Sequence, residues 1–309
     1  MGLFYQPFTV QQFIGFIVLL IAIISMNEMT RRSLKVSIFV FCILPVLLAL
    51  GVYFGLLGSP SGKTWFGWVK VISALAGVYG FLLIRFTSLG KRKFAYYFPV
   101  AILALNIAEA VFREFEVFAT YKVATVEASG ILVQGGIWNI LNGIAGILCI
   151  ITLTGFVGIR VSNSKSKEMI WPDMTWIYIV GYTIWNFAYV YNCLSTRSMY
   201  AGVTILSAAF IAEIFLKRGA WLQHRAQTLS MFAMFSLSVD YHQSQFLNIV
   251  PVYSESVLLG LGIASFIINI LVFISMVWVA MKHRKNPYKE EIYAHSSYYK
   301  NTLTTNHLI

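Results

Sequence analysis

The chain has 309 residues, of which 58% are hydrophobic and 11% charged; an ordinary soluble domain carries roughly 25% charged residues, so this composition excludes a water-soluble globule. Its formal net charge of +11 would suggest a nucleic-acid partner in a soluble domain, but the basic residues fall between apolar runs and read as topology determinants, with no nucleic acid implied. Aromatic residues make up 16%, which suits two belts at headgroup level.

In chain order, apolar stretches of the membrane-crossing length of about 17 to 25 residues recur at 8–26, 36–57, 66–86, 96–113, 136–159, 175–194, 199–216, 221–239 and 256–280. Each is predicted as a helix, because hydrocarbon satisfies no backbone group from outside the segment. No Lys or Arg precedes Arg31, so the first run lacks the charged region of a cleavable signal peptide and reads as a retained span. Gln6 stands where a myristoylation site needs Ser or Thr. Only "FLKRGAWLQHR" separates 199–216 from 221–239, which leaves open a hairpin that dips instead of crossing.

With the N-terminus outside, every one of the 23 Lys and Arg residues falls on the inner side except Lys63, Lys70, Arg113, Lys122 and Arg197. That bias fits an odd number of spans. The expected fold is therefore an all-α polytopic transmembrane bundle of about nine spans in the cell membrane, N-terminus out and C-terminus in. Residues 1–281 form the bundle and 282–309 a mobile, polar cytoplasmic tail. Membrane lipids are the expected surroundings, and homo-oligomers are left open.

The stretch "LNIAEAVFREFE" (105–116) sets Asn106, Glu109 and Arg113 inside the fourth run. A carboxylate at membrane depth costs about 2.5–3.5 kcal/mol on insertion scales, and Glu109 lies roughly 16 Å into its span at 1.5 Å per residue. Lys70 and Ser73 in the third run, Asn139 and Asn142 in the fifth, and Tyr182 and Asn186 in the sixth reach a similar outer depth. We expect these groups to share a polar cavity that shelters Glu109. The structural alternative pairs Glu109 with Arg113 four residues on and uses the asparagines only to fasten helices.

A second polar group is expected at the inner face, from Glu28 and Arg32, Asp173 before a helix start, and His224 with Arg225. Ion pairs and helix caps explain it most simply, with an anionic-lipid headgroup site as the alternative. Glu213 stands four residues before Lys217 and is expected to pair with it.

Chemistry-bearing motifs are sparse. His224, His242, His283, His295 and His307 are scattered singly, with no H-E-x-x-H pattern, and there is no G-x-S-x-G elbow or glycine-rich phosphate loop. Cys42, Cys149 and Cys193 lie in apolar segments without metal-site spacing. No metal or cofactor is expected.

The stretches "NEMTRRS", "WVKVISALAG", "NIAEAVFREF", "WNILNGIAGIL", "WPDMTWIYIVGYTIWNFAYVYNC" and "GAWLQHRAQTL" together resemble an uncharacterised family of multi-pass bacterial membrane proteins, a domain of unknown function. The resemblance runs from the first span to about residue 235. It implies the membrane class and assigns no residue a role. Read from the residues, the expected function is permeation or transport of a small polar solute or cation through the outer-half cavity. The alternatives are a membrane-embedded enzyme or lipid-binding protein acting at the inner headgroup region, and a purely structural role.

Overall fold

The computed structural model describes residues 2–63, 65–240 and 243–309. It is mostly helical. The described residues form α1 (Val10–Arg32), α2 (Leu34–Ile38), α3 (Leu44–Tyr53), α4 (Trp65–Phe86), α5 (Tyr97–Thr120), α6 (Ile137–Ile151), α7 (Trp176–Cys193), α8 (Ile205–Ile211), α9 (Trp221–Ser238), α10 (Glu255–His283) and α11 (Ser297–Thr305). A π-helical turn at Phe39–Ile43 joins α2 and α3 into one rod, and similar turns extend α8 on both sides to Met199–Leu216. Two short antiparallel ladders complete the fold, β1 (Thr125–Val126) with β2 (Leu132–Val133) and β3 (Arg160–Val161) with β4 (Met169–Ile170).

Local sequence sets the helix limits. Thr9 and Gln12 form a reciprocal capping box that starts α1, each side chain bonding the other's backbone N–H. Arg31 and Arg32 occupy its last turn, where cations favour the helix dipole. Arg284 adopts a left-handed conformation, φ 53°, and stops α10.

Among the described residues six segments are long and apolar enough to cross a membrane: Val10–Arg32, Leu34–Tyr53, Gly67–Phe86, Lys93–Thr120, Met199–Leu216 and Glu255–His283. The other three of the nine expected spans fall short for two different reasons. α6 has 15 residues, roughly 22 Å of helix. α7 and α9 have 18 residues each but are sheathed by the rest of the bundle, and α9 buries Gln223, His224, Arg225, Gln227, Thr228 and Ser230. A helix wrapped in protein is not held to the hydropathy that acyl chains demand.

All the rods nevertheless run alternately between the same two ends. At the first end, Gln6 bonds the carbonyl of Val250, Tyr191 bonds that of Phe4, Tyr253 bonds that of Asn192, and Gly58 bonds that of Ser238. At the second, Asn27 meets His224, Arg85 donates to the carbonyl of Lys167 and Tyr288 to that of Ile151. α9 thus runs the length of the bundle. The outward faces are apolar: Ile263, Ile267, Leu271, Ile274 and Trp278 make one exposed stripe along α10. Inside, Gly146 lets α6 lie against α5 and α7, since a Cβ there would overlap Val111 and Trp185.

The C-terminal segment, expected to be mobile, folds back onto the second end. Tyr293 N–H donates to Asp173 at 2.8 Å, Asn306 donates to the carbonyl of Arg218 at 2.9 Å, and Ile292 is fully buried. Apolar and aromatic residues spaced among the polar ones, Ile292, Tyr299 and Leu303, supply the docking face.

Candidate functional site

Four helices line a cavity of about 30 Å³. α4 contributes Ser73, Ala74, Gly77 and Phe81, α5 contributes Ile102, Leu103 and Asn106, α7 contributes Tyr182, and α9 contributes Leu222, Arg225, Ala226 and Leu229. The three- and four-residue steps on α4, α5 and α9 are those that set side chains on one helix face.

Lys70 and Glu109 stand beside this cavity. Lys70 Nζ donates to Glu109 Oε2 at 2.9 Å and to Asn106 Oδ1 at 3.2 Å, while Asn106 donates to the carbonyl of Ile102 one turn back. Each partner's side chain is 25% exposed. Arg113, the alternative partner of Glu109, turns away to Glu116 at 2.7 Å and to Glu127 at 2.5 Å. Across the cavity, Arg225 is 5% exposed and donates from Nη2 to Asn186 Oδ1 at 3.1 Å. Its Cζ lies 6.0 Å from the centre of the Tyr182 ring, and its Nε and Nη1 have no hydrogen-bond partner.

The expected outer cavity therefore divides. Lys70, Asn106, Glu109, Tyr182, Asn186 and Arg225 gather around the space between α4, α5, α7 and α9, whereas Asn139 and Asn142 serve a different carboxylate. Asn139 Nδ2 donates to Glu114 Oε2 at 2.5 Å and Asn142 Nδ2 to Glu114 Oε1 at 2.6 Å, with Cys193 Sγ 3.2 Å from Oε2. Glu114 is fully buried. Ser265 carries the network to α10 through Asn142 Oδ1 at 2.6 Å, and Asn269 continues it to the carbonyl of Gly181. Glu114 is the first residue past the expected span 96–113, where a charge is ordinary. The signal was present in its register: Leu103, Ile107, Ala110, Glu114 and Val117 share the buried face of α5, and Glu109 does not.

At the second end, the expected inner group also divides. Glu28 takes Arg31 and Arg32, and Arg31 also bonds Glu168, which is fully buried. Ser162 and Ser164 donate to Glu168 Oε2 and Lys217 Nζ lies 3.8 Å away. Burial raises the Glu168 pKa, but the two hydroxyls, a backbone N–H and Lys217 outweigh it and hold the carboxyl at about 2. His224 Nδ1 meets Asn27 Nδ2 at 2.9 Å. Asp173 lies elsewhere, accepting from Thr154 at 3.0 Å and from Tyr293 N–H; burial pushes it up to about 6 against those bonds. Gly155, at φ 58°, passes so close to Asp173 that a Cβ would overlap its carboxyl group. Thus Asp173, His224 and Arg225 do not form one headgroup site.

The expected Glu213–Lys217 pair is replaced as well. Lys217 turns toward Glu168, and Glu213 Oε1 accepts from Gly219 N–H at 2.6 Å and from Tyr298 at 2.9 Å. A chain reversal at Gly219, φ 82°, brings that N–H back to the helix end. His283 and His295 stack with ring centroids 3.8 Å apart, and His242 lies outside the described residues. Among the described residues no group of three or more His, Cys, Asp or Glu could hold a metal ion.

A family described as "Family of unknown function (DUF5692)" matches residues 6–305, which takes the likeness past residue 235 and through α11. No curated protein matches the chain. No solved structure matches it either.

Proposed function

The chain belongs to that family of unknown function, so its activity has to be argued from its own residues, and we propose that it is a multi-pass cell-membrane protein that binds and passes a small polar solute. In this reading all nine rods cross the bilayer, N-terminus out and C-terminus in. α7 and α9 cross inside a sheath of the six apolar segments, and α6 crosses where its short length is completed by the loop that follows. The alternation of the rods between two ends and the outward apolar stripe of α10 support this. The basic residues then lie mainly at the inner end, as the positive-inside bias requires.

One observation carries the solute reading. Ser73, Asn106, Tyr182 and Arg225, from four different helices, line one interhelical space, and Lys70 bonds Asn106 beside it. Polar groups inside a membrane bundle commonly mark solute or ion pathways. The first expectation of a single cavity reaching Asn139 and Asn142 gives way to this smaller one. Gly77 provides the test. A Cβ there would meet Ile102 Cγ1 at an ordinary 3.5 Å, so Gly77→Leu fills the cavity without touching a charge.

Proteoliposomes are loaded and challenged with urea, glycerol and potassium nitrate, the last with valinomycin to carry potassium, and solute entry is followed by light scattering. At least one solute is expected to enter faster than into empty liposomes, with Gly77→Leu returning it to that background. Background rates for all three, or rates indifferent to Gly77→Leu, would refute the reading.

A further inference from the structure

We propose that the solute held between α4, α5, α7 and α9 is a small anion, and that the Arg225 guanidinium is its countercharge. The proposal rests on the solute reading of the same cavity and gives that solute a charge. Two cations lie near the space, and they differ in how they are matched. Lys70 has Glu109 at 2.9 Å and Asn106 at 3.2 Å, so that pair is neutral. Arg225 is 5% exposed and carries no ion pair among the described residues. Its single hydrogen bond goes to a neutral amide, Asn186, and Nε and Nη1 lack acceptors.

A charge buried without a partner is strongly unfavourable. The Tyr182 ring at 6.0 Å gives only a weak cation–π contribution. An anion in the cavity supplies both the acceptor and the opposite charge, whereas a cation there would face Arg225 directly. The volume of about 30 Å³ has room for two or three waters, each needing about 10–15 Å³ on the same measure, which suits an ion of chloride or nitrate size.

The test compares thermal unfolding of the full chain in detergent, in sodium nitrate and in sodium gluconate at constant ionic strength. Gluconate is too large to enter. Nitrate is expected to raise Tm saturably by roughly 5 °C, with the rise lost in Arg225→Gln, partly kept in Arg225→Lys and lost in Gly77→Leu. Equal Tm values in the two salts for the unsubstituted chain would overturn the proposal, as would an undiminished rise in Arg225→Gln. If Arg225→Gln fails to fold, the unsubstituted chain and Gly77→Leu still decide. Entry of urea or glycerol without any nitrate shift would remove the anion and leave the solute reading standing.

Discussion

Lys70 on α4 reaches Glu109 on α5, Nζ to Oε2 at 2.9 Å, and so ties together two neighbouring helices through their polar residues. Because each side chain is 25% exposed, solvent screening limits the pair to on the order of 1 kcal/mol. A double-mutant cycle with Lys70→Met and Glu109→Gln, read by denaturation in detergent, is expected to give that coupling. Arg113→Ala is expected to show none with Glu109. Strict additivity of Lys70→Met and Glu109→Gln would mean the contact contributes nothing.

Glu114 is the more demanding position. Both its oxygens are held by amide donors, from Asn139 and Asn142, in a fully buried site. Glu114→Ala strands those donors, at about 1–3 kcal/mol for each unsatisfied group. It is therefore expected to lower Tm further than Glu109→Ala does. The reverse order would contradict the burial assigned to these two carboxylates.

How far the residues foretold this arrangement depends on the kind of signal. Long apolar runs are written locally, so the helices and most of their limits were legible. Which polar groups meet was legible only in part. Lys70 with Glu109 and Asn106 follows from shared depth, but depth carries no information about facing. Asn142 lies near the level of Glu109 and yet points to Glu114, because the rotation of α5 is set by packing against α6. Glu168 and Tyr293 were unreadable for a different reason. Their partners come from a polar loop and a C-terminal segment whose docking depends on tertiary contacts with no periodic signature.

At Glu168 the folded-state pKa is depressed to about 2 from an ordinary 4.5. Its stabilisation is therefore complete above pH 4.5 and disappears as pH falls toward 2. Glu168→Gln removes one of the two carboxylates paired with Arg31, the other being Glu28, and is expected to cost about 1.5–3 kcal/mol at neutral pH. The gap in Tm between this variant and the unsubstituted chain should narrow steadily below pH 4.5. A constant gap down to the acid limit would show that the charge is not what Arg31 requires.

Asp173 has the opposite sign. Burial raises its pKa to about 6 from an ordinary 3.8, so ionisation opposes folding: its favourable contribution is complete below pH 3.8 and lost as pH rises through 6. Asp173→Asn keeps an acceptor for the Tyr293 N–H and is expected to flatten the Tm profile between pH 4 and 7. At pH 7.5 it should match or exceed the unsubstituted chain. A lower Tm there, with the pH slope unchanged, would contradict this assignment.

Thiol labelling at two adjacent residues reports most directly on a polar space inside an apolar shell. Ser73 lines the cavity, and Ile72, 64% exposed, lies on the outer apolar surface. In intact membranes and a Cys42→Ala background, Ser73→Cys is expected to be oxidised by hydrogen peroxide, a reagent close to water in size, and labelled as its sulfenic acid at least about tenfold faster than Ile72→Cys, since only a hydrated thiol forms the reactive thiolate. Faster labelling of Ile72→Cys, or silence at Ser73→Cys, would contradict a water-filled site between these helices.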